Sequence, residues 1–116
     1  VFVIERADAR FIETELNRVL PEYCGQGIHT TDDSIFSGTD LPVIERALLA
    51  LRDLVLHMEE EWAVTLGYAM GPGSAVGEPI QKMANRERIL AFADSVLELV
   101  KRARSRESFL YWGGGE

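Results

Sequence analysis

Leu41, Ile44, Leu48, Leu51, Val55, Met58 and Trp62 recur at alternating steps of three and four. That spacing places all seven on one face of an α-helix. Leu49, Leu56 and Ala63 widen the stripe on one flank and Ala47 and Leu54 on the other, leaving Glu45, Arg46, Arg52, Asp53, Glu59 and Glu60 as the continuous polar strip. A helix this apolar must be covered on more than one side, so it reads as the central element of a helical bundle. The stripe constrains architecture and not chemistry, because no group of residues along it carries a reaction.

The flanking segments are read around this helix. Asp40 is placed to cap it, and Pro42 fits its first turn, where a missing N–H costs little. It is predicted to run to Leu66 or Gly67. Before it, Phe11, Ile12, Leu16, Val19 and Leu20 predict a helix over 9–20, capped by Asp8 and ended by Pro21. Residues 24–40, CGQGIHTTDDSIFSGTD, show no sustained period and read as a loop pinned by Ile28, Ile35 and Phe36. A loop of that length in a small domain is often functional. The stretch GPGSAVGEP, 71–79, breaks the chain again, and a last helix is predicted from Pro79 to 104–106, with Ile89, Phe92, Ala93, Val96, Val100 and Ala103 on one face. If Val1 to Ile4 is a strand, Phe109 to Trp112 is its partner; otherwise both ends lie on the bundle. The fold class expected is therefore mainly α, a three-helix-type bundle with the terminal strands left open.

A chain of 116 residues holds one core, and residues 1–116 are read as a single helical domain. Hydrophobic residues make up 47% and charged residues 27%, an ordinary globular balance. No apolar run approaches the ~20 residues of a membrane span, and the opening residues lack a signal-peptide pattern. Cys24 is the sole cysteine, which excludes a disulfide within these residues and favours a reducing, cytoplasmic setting. The net charge is −7, and it is uneven: residues 1–66 hold thirteen acidic and five basic side chains, the remainder six and seven. Such an acidic surface argues against nucleic acid as ligand, since phosphate binding draws on Lys and Arg, and favours rapid association with a basic partner.

Several groups invite a chemical reading. Cys24 with His29 or His57 as base would make a nucleophile, but no familiar catalytic-cysteine pattern surrounds it, and packing is the simpler role. His57 and Glu61, four apart, could hold a metal with Glu60 or with His29, Asp32 and Asp33. The Glu-x-x-His pattern of di-iron bundles fails, however, because Leu54 stands three before His57. No metal or cofactor is expected. Gly71, Gly73 and Gly77 are read as a helix–helix connection and not as a phosphate loop, which would have to follow a strand. Lys101, Arg102, Arg104 and Arg106 fall in the last turn of the final helix, where cations complement the helix dipole. The preferred partner-binding surface is the acidic group Asp32, Asp33, Asp40, Glu59, Glu60 and Glu61, whose carboxylates can receive arginines from a basic protein.

A small, acidic, cysteine-poor domain with a long polar loop beside an acidic helix resembles the immunity proteins that neutralise toxins of contact-dependent growth inhibition and related bacterial systems. The Asp32–Asp33 and Glu59–Glu61 groups are compatible with that class. The resemblance implies a cytoplasmic, non-enzymatic inhibitor that covers the active site of a cognate toxin, often a basic nuclease. Two other readings stand beside it. One is a small-ligand protein or enzyme with a pocket between helices, with His57 buried against a cavity and Glu60 or Glu61 beside it. The other is a self-associating module, a homodimer, driven by the wide apolar face of the central helix.

Overall fold

The computed structural model describes residues 4–28, 33–69 and 77–112. The predicted central helix forms as α3 (Asp40–Leu56), but it ends well short of Leu66. Its last turn tightens, with the amides of His57 and Met58 donating to the carbonyls of Leu54 and Val55. His57 closes the end by a 2.8 Å hydrogen bond between Nδ1 and the Asp53 carbonyl. Beyond it the chain turns into a strand, β2 (Glu61–Ala69), which pairs antiparallel with β3 (Glu78–Asn85).

The fold is therefore α+β and not a three-helix bundle. Before α3 come α1 (Arg6–Leu16), α2 (Leu20–Cys24) and β1 (Ser34–Ser37); after β3 come α4 (Arg86–Ser105) and β4 (Phe109–Trp112). Two strands replace helix where Trp62 happened to continue the helical stripe. In β2, Trp62, Val64 and Leu66 are half-buried while Ala63 and Thr65 are exposed, an alternation of two that suits the β-branched and aromatic residues there. A bulge at Leu66 shifts the register between Thr65 and Gly67. The glycine-rich segment thus connects two strands, with Gly71 and Gly73 outside the described residues. The last helix starts at Arg86, not Pro79, because Asn85 caps it by accepting from the Arg88 amide at 3.0 Å.

The second sheet corrects the reading of the termini. β4 pairs antiparallel with β1, which lies in the segment read as loop; Val1 to Val3 lie outside the described residues and Ile4 is in no strand. Nor does Pro21 simply stop a helix: it sits in the first turn of α2, whose end is closed by Gly25 in the left-handed region. Between α2 and β1, Asn17 clamps Ile28, donating to its carbonyl at 2.6 Å and accepting from its amide at 2.7 Å. A Cβ on Gly27 would lie 2.5 Å from Asn17 Oδ1, so a larger residue there would have to displace the Asn17 side chain that makes this clamp. Ile28 and Phe36 are buried as expected, whereas Ile35 is exposed.

α3 and α4 run antiparallel, as the pairs Arg104–Glu45 at 2.9 Å and Arg52–Asp94 at 2.8 Å require. Leu41, Ile44, Leu48, Leu51 and Val55 share one core with Ile89, Val96 and Val100, and with Phe36 and Leu110 of the β1–β4 sheet. At the carboxyl end of α4, Glu107 adopts φ 51° and the Ser108 amide reaches the Ala103 carbonyl at 2.8 Å, a left-handed helix stop. The cross-helix ion pairs are partly solvated and each contributes at most about 1 kcal/mol.

A different ion pair fixes the arrangement. Asp8, expected as a cap, lies inside the first turn of α1 and is 1% exposed. Its Oδ1 accepts from the Asn85 amide at 2.9 Å, and Arg88 reaches Oδ2 through Nε at 2.7 Å. One buried carboxylate thereby joins α1 to the junction of β3 and α4. Asp8→Ala leaves the Asn85 amide and Arg88 without their acceptor and is expected to destabilise the fold by about 2–4 kcal/mol. Urea unfolding of the two proteins measures this, and a loss below about 1 kcal/mol would show that the pair is dispensable.

Candidate functional site

The β1–β4 sheet has two unlike faces. Alternation sends Phe36 and Leu110 into the core, and Trp112 packs edge-on against Phe92 with centroids 5.6 Å apart. The opposite set points outward: Ile35 is 55% exposed, and Phe109 and Tyr111 are each 56% exposed. Ile35 and Tyr111 are direct cross-strand partners, and Phe109 follows on the same side of β4. Asp33 stands exposed just before β1 and is hydrogen-bonded to the Tyr111 hydroxyl. That bond, with some desolvation and the carboxylate's charge, raises the Tyr111 phenol above its ordinary pKa. The result is an apolar, aromatic face rimmed by a carboxylate, on a sheet with no third strand among the described residues. Sequence reasoning found the strand composition of 109–112 but missed this face, because the pairing partner is β1 and not Val1 to Ile4.

The acidic residues singled out in the sequence do not form one surface. Asp33 and Asp40 flank β1 at the amino end of α3, whereas Glu59, Glu60 and Glu61 are exposed beyond its carboxyl end. Seventeen helical residues separate the groups, about 25 Å at 1.5 Å per residue. Asp32 and His29 lie outside the described residues. Glu61 is in β2, so the helical i, i+4 relation with His57 on which a shared metal depended does not exist. His57 is exposed and caps α3, contrary to the expectation that it is buried against a cavity. Among the basic residues, Arg102 and Arg104 do occupy the last turn of α4, and Arg104 pairs with Glu45.

A cleft of about 560 Å³ opens between α1, the carboxyl end of α3 and β2. Phe11 meets Trp62 edge-on there, with ring centroids 5.0 Å apart. Leu54, Met58 and Val64 add apolar wall, and Arg10, Thr14, Glu15 and Arg18 supply polar groups from α1 and its end. The indole nitrogen of Trp62 is buried without an acceptor among the described residues. An orphaned donor of that kind costs about 1–3 kcal/mol.

Cys24, at the end of α2, is half-buried beside Asp40, the first residue of α3. Burial, and then the charge and hydrogen bond of Asp40, push its thiol up to about 11. It is thus a protonated packing residue at neutral pH and not a nucleophile. Because the folded thiol holds its proton more tightly than the unfolded one, its contribution to stability is present below the ordinary thiol value of 9.0 and is lost as pH rises towards about 11. Alkylation by iodoacetamide in the native protein is expected to be negligible at pH 7.5 and to rise steeply above pH 10, with Asp40→Asn moving the rise to lower pH; rapid modification at pH 7.5 would contradict this environment.

Among the described residues, no helix is long and apolar enough to cross a membrane, and no cluster of three His, Cys, Asp or Glu side chains is arranged to hold a metal. No protein-family model matches the chain, and no significant match was found among curated proteins or solved structures.

Proposed function

We propose that the domain is an immunity-type inhibitor that binds a basic toxin domain through the outer face of the β1–β4 sheet and blocks that partner's working surface. The observation that carries this reading is the exposed set Ile35, Phe109 and Tyr111, aligned by strand register beside Asp33. Aromatic side chains on a rigid face lose little entropy on binding, and they are enriched at the centres of protein interfaces. Asp33 supplies a rim carboxylate for an incoming arginine, and the net charge of −7 favours encounter with a basic protein. Inhibition in this mechanism is steric and needs no chemistry from the domain. Glu59, Glu60 and Glu61 act only at long range, through the overall field.

Affinity capture from source-cell extract tests the reading, provided the captured protein is purified and its own activity is measured with and without the domain. A basic protein, released at high salt and inhibited by stoichiometric domain, is expected. Tyr111→Ala should weaken that complex about 30-fold, the effect of losing a central anchor, while a triple Lys replacement at Glu59, Glu60 and Glu61 should slow association with little change in dissociation. Capture that is indifferent to Tyr111→Ala and Asp33→Lys, or a captured protein whose activity is unaffected, would count against the proposal.

Self-association has one observation in its favour. Leu49 and Leu56, seven residues apart on α3, are 49% and 47% exposed, so the wide apolar face predicted from sequence is only partly covered by α4 and α1. If that flank forms a dimer, light scattering at micromolar concentration gives twice the monomer mass and Leu49→Glu returns it to monomer; a monomer throughout removes this reading.

A further inference from the structure

We propose that the open edge of β4 takes up an extended peptide segment as a third strand of the β1–β4 sheet. The inference deepens the partner-binding reading above and rests on it only for whose segment this is. β1 already has a second neighbour: Gln26 donates to the Ile35 carbonyl at 2.6 Å, and Gly27 accepts from the Ser34 hydroxyl at 2.8 Å. β4 has none. In an antiparallel pair, alternate residues turn their N–H and C=O groups away from the partner strand, and beyond the ladder with β1 no backbone group of Phe109–Trp112 has a hydrogen bond among the described residues. The strand also carries neither the charge nor the proline that commonly blocks an exposed edge.

What lies beneath that edge selects the occupant. α4 packs on β4 and α3 on β1. Asp94 and Arg104 mark the side of α4 that faces α3, through their ion pairs with Arg52 and Glu45. Phe92, which meets Trp112, lies away from them, and Leu99, seven residues on and so on the same side as Phe92, is 38% exposed. α4 therefore offers an apolar ledge below the free side of β4. A second copy pairing through β4 does not fit there, because strands in a sheet lie about 4.8 Å apart whereas the two α4 helices carried beneath them need about 8–10 Å. An extended segment brings no helix of its own. Its side chains alternate, one set covering Leu99 and the other lying beside Phe109 and Tyr111, where a basic residue meets Asp33. In this mode of recognition main-chain bonds supply affinity and the alternating side chains set preference.

The probe is the blocked peptide acetyl-SVRVTVRVS-amide, with valines on one side of the strand and polar or basic residues on the other; its control has proline at the two central valines. Amide hydrogen exchange of the labelled, unaltered domain is followed by NMR. Saturating peptide is expected to slow the alternate β4 amides not bonded to β1 by about tenfold or more, with a dissociation constant on the order of 0.1 mM, and the proline control to leave them unchanged. Leu99→Glu should weaken binding about tenfold and Leu49→Glu, on the flank of α3, less than twofold, both with native circular dichroism. No slowing with millimolar peptide, slowing confined to amides outside β4, equal affinity for the two peptides, or indifference to Leu99→Glu would overturn the proposal. Such a failure is distinct from failure of the inhibitor reading, which is decided by the captured protein's activity and by Tyr111→Ala and Asp33→Lys.

Discussion

The carboxylate of Asp8 fixes how α1 sits on the junction of β3 and α4, elements whose apolar residues share one core. α1, only 11 residues long, and the β2–β3 hairpin would each be marginal alone, as short helices and two-stranded ribbons in water are. Asp8 lies in the first turn of α1, where an acidic side chain also suits the helix dipole, yet both its oxygens are spent on the β3–α4 junction. Arg88 spans further, donating from Nη2 to the Met83 carbonyl at 3.2 Å. Arg86 completes the junction by giving its amide to the Glu60 carbonyl at 2.8 Å and Nη1 to the Met58 carbonyl at 3.2 Å. The amino end of α4 is thus tied to α1, to β3 and to the connection leaving α3. Breaking a pair of this kind costs more than forming it gains over a packed apolar alternative, so its value lies in specifying one arrangement.

From that junction the molecule extends in two directions, and the extents of 56 × 28 × 26 Å reflect it. At one end α1 covers one side of the hairpin and leaves a cleft beside Trp62. At the other, β4 follows the left-handed stop after α4 and adds to β1, closing the core with Phe36 and Leu110 while turning Ile35, Phe109 and Tyr111 to solvent. α3 spans the distance between the two ends. This geometry separates an aromatic, acid-rimmed face from the cleft beside Trp62, and it explains why carboxylates grouped by sequence fall on different surfaces.

How far the chain was legible depends on which interactions were local. The stripe from Leu41 to Val55 is buried as read, and the face of α4 carrying Ile89, Ala93, Val96, Val100 and Ala103 is buried too, because an amphipathic period of 3.6 has one way to meet a core. The ending of α4 at Ser105 also follows local signals. The misreading begins at Met58 and Trp62, which extend the helical stripe by coincidence. Nothing within a few residues of Trp62 distinguishes helix from strand strongly, and the decision falls to β3, whose Ala84 lies opposite Trp62 in the ladder. Likewise Ile35 and Phe36, adjacent in a segment read as loop, go to opposite faces only once β4 arrives to pair with β1.

The sequence by itself determined the two long amphipathic helices, their apolar faces, the absence of an internal disulfide and the acidic charge, since each depends on neighbours in the chain or on composition alone. Tertiary structure decided the rest. Strand pairing requires a partner brought from elsewhere, as Phe109–Trp112 is brought to Ser34–Ser37, and its hydrogen bonds have no trace in local periodicity. The same holds for Asp8, whose role is set by Arg88 eighty residues away, and for the surfaces on which function is proposed. They exist only because long-range pairing selects which of two alternating side chains faces water.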